Sequence, residues 1–130
     1  MCPAADGSPA LAPTYEEIDD YLETIDMLES LGATELHSGH WPTCTGPEIA
    51  DFMAESRAFV ERMDAALAER LERPATLAEL CEHADRRLGP FGCEPVNLMF
   101  AVHGHIRRML RAGKAEIVAV GELPPRYRLP

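Results

Sequence analysis

Apolar residues recur at helical spacing in four stretches of the chain, separated by segments rich in Gly and Pro. Ile18, Tyr21, Leu22, Ile25, Leu28 and Leu31 form the first stripe, and Gly32 closes it. Thr14 and Glu17 stand in the T-x-x-E spacing of a capping box, so the pattern predicts a helix over residues 15–31. Ile49, Phe52, Met53, Phe59, Val60, Met63 and Leu67 carry a second stripe. With a second box at Thr45 and Glu48, they predict one helix of roughly 24 residues ending near Leu71. A third box, Thr76 with Glu79, opens a helix that turns Leu77, Leu80 and Leu88 inward and stops at Gly89-Pro90. The fourth helix runs from about Val96 to Ala112, ahead of Gly113, with Met99, Val102, Ile106, Met109 and Leu110 on one face.

The connections read differently. ATELHSGHWPTCTGP is too broken for a helix and predicts a brief strand near Glu35 to His37 followed by a loop. Ala115 to Val120 reads as a strand, GELPP as a turn, and Arg126 to Leu129 as a returning strand with alternating faces. The first 13 residues, with Pro3, Pro9 and Pro13 among small residues, read as a flexible tail. The fold class expected is therefore mainly α with a small β-hairpin, and the later order of helices and hairpin is that of a winged helix.

At 130 residues and 46% hydrophobic composition, one compact domain or two very small ones is the ceiling. No apolar run approaches the roughly 18 residues that a membrane helix needs, and the start lacks the pattern of a signal peptide; a cytoplasmic chain is expected. Cys2, Cys44, Cys81 and Cys93 form no C-x-x-C pair, which suggests reduced thiols rather than a zinc ribbon or a disulfide framework. The net charge of -10 opposes nucleic-acid binding by the chain as a whole. Yet residues 1–72 hold 16 acidic and 3 basic side chains, whereas residues 73–130 hold 6 and 9. Two segments with different jobs are implied.

His103-Gly104-His105 has the look of an H-x-H metal pair, but residues two apart on a helix point about 200° from each other, so the two rings cannot share an ion. His83 lies on the third helix without a ligand-type neighbour and reads as a surface histidine. His37 and His40 lie in a Gly/Pro-containing loop, where side chains are commonly held for function. Beside Gly39 and Trp41, His40 is either a metal ligand or a hydrogen-bonded turn residue.

A helix ending in Leu-Gly, the strand and loop LHSGHWP, and a T-G-P-E-opened helix with Phe52, Ser56, Phe59 and Val60 in F-x-x-x-S-x-x-F-V spacing resemble the C-terminal end of the metallo-β-lactamase-fold hydrolases. The resemblance implies a remnant of the αββα fold over residues 14–72, followed by a winged-helix domain over residues 73–130, with residues 1–13 as the tail. It makes His40 the last ligand of a two-metal, usually zinc, centre. The family's H-x-H-x-D-H loop, its next histidine and its bridging aspartate would all precede the matched region. A catalytic zinc needs about three protein ligands and an open position for water. The expectation is a C-terminal fragment or partial chain that binds zinc poorly and is inactive alone. Its partner would be a complementing chain that supplies the missing sheet, or a second copy in a homodimer.

The fourth helix carries the alternative. His103, Arg107, Arg111 and Lys114, with Arg108 beside them, form a basic stripe on the helix that a winged helix would place in a nucleic-acid groove. Cations near a helix C-terminus also complement its dipole and simply stay solvated. Asp19, Asp20, Asp26 and Glu29 make no EF-hand-like loop and read as a solvated acidic face.

Overall fold

The computed structural model describes residues 13–37, 42–92, 95–118, 121 and 123–130. Helix α1 (Ile18–Ser30) is followed by a short antiparallel pair, β1 (Glu35–Leu36) and β2 (Cys44–Thr45), then by the long helix α2 (Pro47–Leu71). Strand β3 (Ala75–Thr76) leads directly into α3 (Leu77–Leu88). A 3-10 turn (Pro95–Leu98) opens onto α4 (Met99–Arg111), and β4 (Glu116–Val118) and β5 (Arg126–Arg128) close the chain. The second sheet has the order β3-β5-β4, all antiparallel, with Ile117 opposite Tyr127 and Ala75 on the other side of Tyr127.

The helix ends show which local signals act. At Thr76 the capping box is complete: Glu79 N–H donates to Thr76 Oγ1 at 3.3 Å, and Thr76 N–H donates to Glu79 Oε2 at 2.7 Å. At Thr45 it is half formed. Thr45 N–H reaches Glu48 Oε2 at 2.9 Å, but Pro47 starts the helix, which moves the cap position to Gly46 with φ +52°. The box expected at Thr14 does not form. Helix α1 begins at Ile18 instead of residue 15, because the Glu17 carboxylate is drawn to Arg107 at 2.8 Å on α4. The fourth helix also starts later than expected, its first turn wound as 3-10.

One contiguous core runs from Phe59 to Tyr127 and crosses residue 72. Met63, Leu67 and Leu71 of α2, Leu80 and Ala84 of α3, and Val102 and Ile106 of α4 meet in it, each 1% exposed or less. Tyr127 roofs it from β5, and Leu129 N–H bonds Leu71 carbonyl oxygen at 3.0 Å, tying the C-terminus to the end of α2. The amino-terminal half buries less. Of the stripe expected to face inward on α1, only Ile18 and Ile25 are buried; Tyr21, Leu22 and Leu28 are half-buried and Leu31 is 66% exposed. Met99, expected on the inner face of α4, is also exposed, while Ala101, Gly104 and His105 are buried there. No helix among the described residues is long and apolar enough to cross a membrane.

Gly104 is where the start of α1 crosses α4. A Cβ added at Gly104 would run into the backbone carbonyl of Glu16. Gly104→Ala is expected to lower stability by about 1–3 kcal/mol, the usual range for overpacking, and urea unfolding with the denaturant slope held fixed reads it directly.

Candidate functional site

The described polar groups of greatest chemical interest lie where the start of α1, the middle of α2 and α4 meet. His105 is fully buried. Its Nδ1 lies 2.6 Å from Asp64 Oδ1 on α2, and its Nε2 lies 3.2 Å from the Tyr15 hydroxyl. An ionised carboxylate only accepts hydrogen bonds, so in the neutral ring Nδ1 carries the hydrogen, and Nε2 accepts from the Tyr15 O–H. Tyr15 stacks on Tyr21 with ring centroids 4.6 Å apart. Burial, with Tyr21 and Asp64 beside it, pushes the Tyr15 phenol well above its ordinary range.

Around this buried chain runs a row of ion pairs. His103 Nδ1 is 3.1 Å from Glu16 Oε1, so the two imidazoles of the H-x-H motif point to different elements and do not meet. Arg107 pairs with Glu17 at 2.8 Å and Glu16 at 3.4 Å. Arg108 reaches Asp19 at 3.0 Å and Asp64 at 3.3 Å. Arg111 lies 3.8 Å from Asp19 and 4.0 Å from Glu17. The three arginines of the basic stripe thus face carboxylates of the same chain. Lys114 is exposed and has no ion-pair partner among the described residues. The acidic face of α1 is likewise engaged rather than merely solvated, since Asp26 and Glu29 both bind Arg57 of α2, at 2.5 and 2.7 Å. That guanidinium holds the Glu29 carboxyl below its ordinary range.

The other histidines part from their sequence reading in different ways. His40 falls within residues 38–41 and lies outside the described residues. Its neighbour His37 is exposed, with Nε2 3.1 Å from Glu35 Oε2 and Nδ1 3.0 Å from Thr43 Oγ1. His83, read as a surface residue, is half-buried, and its Nε2 has no hydrogen-bond partner among the described residues. Burial, with Arg86, Arg87 and Arg70 adding to it, holds that imidazole below its ordinary range. Cys81 is buried in α3, which pushes its thiol up to about 11 and leaves it inert as a nucleophile. Among the described residues no group of three His, Cys, Asp or Glu side chains could hold a metal ion. The donors described do not by themselves fit a zinc centre.

No protein-family profile matches the chain, and no curated protein sequence does. Among solved structures it is similar to a metallo-beta-lactamase family protein from Thermus thermophilus, with a TM-score of 0.69 and 23% sequence identity. The likeness covers 88% of this chain and 34% of that one. The chain has the fold of part of such a protein. It spans about a third of that solved chain's length, and at this identity the likeness is one of fold. The likeness assigns no role to Tyr15, Asp64 or His105.

Tyr15, Asp64 and Glu16 are the residues that sequence reading missed. A mid-helix glycine between two histidines was the available signal, since such a glycine marks a close approach of backbone.

The Tyr15 shift gives a pH dependence. A phenol harder to ionise when folded contributes stability that is present below its ordinary value of 10.0 and is lost as pH rises above it. The urea midpoint is expected to fall above about pH 10 in the natural chain and to fall less steeply in Tyr15→Phe; equal slopes would contradict the assignment.

Proposed function

We propose that the chain is the C-terminal portion of a metallo-β-lactamase-fold hydrolase, joined to a winged-helix accessory domain, and that it is inactive by itself. The fold likeness to a third of a metallo-beta-lactamase family protein is the observation that carries this reading. In it, residues 14–72 supply a helix, the strand and loop with His40, and the long helix, and residues 73–130 form the accessory domain. The succession of β3, α3, α4 and a β4–β5 hairpin, with the order β3-β5-β4, supports the winged-helix part. His40 is its metal ligand by resemblance. A zinc centre would need its remaining ligands from outside the described residues.

The same reading gives the partner: a chain that supplies the missing sheet, or a second copy. Met27 and Leu31 at the end of α1, 54% and 66% exposed, support an additional layer there. It also assigns α4 to internal contacts. With Arg107, Arg108 and Arg111 neutralised by Glu16, Glu17, Asp19 and Asp64, the stripe lacks the free positive field that nucleic-acid binding requires.

Two measurements test the reading. The purified chain is expected to hold far less than one zinc per molecule by metal analysis and to show no thioesterase or esterase turnover; stoichiometric tight zinc with turnover would overturn it. In a gel-shift titration against duplex DNA, binding at low salt is expected to be absent. Strong binding that falls steeply with salt and disappears in the Arg107→Ala, Arg111→Ala double variant would instead assign α4 to nucleic acid.

A further inference from the structure

The contact between α2 and α3 holds a buried nitrogen that nothing described bonds. His83 of α3 is half-buried, and its Nε2 is closed off from water with no hydrogen-bond partner among the described residues. A neutral ring can leave that nitrogen as a bare lone pair. A protonated ring carries a hydrogen on both nitrogens, so an N–H would then be buried without an acceptor. That costs the desolvation of the donor and of part of the charge.

The charges around the ring do not relieve it. Arg86 and Arg87, three and four residues on, share its side of α3, and Arg70 acts on it from α2. Glu69 of α2 opposes them, but its carboxylate is already bound by Arg87, Nη2 at 3.0 Å and Nε at 3.1 Å. Glu82 is the partner of Arg86 at 3.9 Å, and Glu79 is the partner of Arg70 at 3.4 Å and of the Thr76 N–H. Asp85, two residues on, lies round another side of α3 and accepts from the Phe91 N–H at 3.0 Å. Burial first, and the guanidiniums after it, hold the imidazole below its ordinary range.

We propose that His83 is an acid-sensitive latch between α2 and α3, closed while its imidazole is neutral and weakened when the ring takes a proton. The faces it joins belong to the core, where Met63 and Leu67 of α2 meet Leu80 and Ala84 of α3. The folded chain resists a proton that the unfolded chain takes up at the ordinary value of 6.5. The latch's contribution is therefore whole above that pH and is lost as pH falls from there toward the lower value of the folded ring. No metal and no residue of the His40 loop takes part, so the latch stands apart from the hydrolase reading.

A ring NMR titration of the full chain, joined to urea unfolding at about pH 7 and about pH 5, tests it. The His83 ring is expected to titrate below 6.5. The urea midpoint of the natural chain is expected to drop further between the two pH values than that of His83→Leu, which keeps every other histidine. Arg87→Gln, an exposed change, frees Glu69 for the imidazolium; it should raise the His83 titration midpoint and shrink the drop. A ring that titrates at or above 6.5, an equal drop in His83→Leu, or a titration midpoint unmoved by Arg87→Gln would each overturn the proposal.

Discussion

The imidazole of His105 has no access to water and must find both of its hydrogen bonds inside the protein. It finds one on α2, at Asp64, and one on the segment that enters α1, at Tyr15. Leaving either nitrogen unpaired would cost the desolvation of a buried polar group, on the order of 1–3 kcal/mol, so the ring acts as a three-way pin. Gly104 makes the pin reachable, because any side chain there would meet the backbone of Glu16. The ion pairs around it are half-exposed and individually worth little. Their effect is to set orientation, since each places a carboxylate of the α1 entry or of α2 over an arginine of α4.

That constraint bears on function. A helix whose outer face is a free basic stripe is suited to phosphate; one whose arginines are saturated by the preceding helix is suited to holding a molecule together. The core crosses residue 72 without interruption, and α1 is fastened to α4, so the amino-terminal elements and the later helix-and-hairpin unit share their buried contacts. The later helices and hairpin are therefore fixed relative to the elements that precede them.

What could be read from the sequence was local. The Thr76–Glu79 box, the stops at Gly32, Gly89 and Gly113, and the alternation around Tyr127 each depend on residues within one or two turns, and they mark the elements closely. The two-residue strands β2 and β3 escaped because so short a stretch carries no period. Glu17 misled: its T-x-x-E spacing pointed to a cap, but an arginine 90 residues away in sequence took the carboxylate. The site was hidden for the same reason. Tyr15 and His105 are 90 residues apart and Asp64 and His105 are 41 apart, and no spacing rule relates them. His40, the residue that the sequence singled out, lies outside the described residues.

The pin is tested most directly by the position of one hydrogen. In long-range proton–nitrogen NMR spectra of the chain with the His105 ring neutral, the account predicts a single tautomer, with the hydrogen on Nδ1 toward Asp64 and Nε2 accepting from Tyr15. A hydrogen on Nε2, or fast averaging between the two nitrogens, would contradict it.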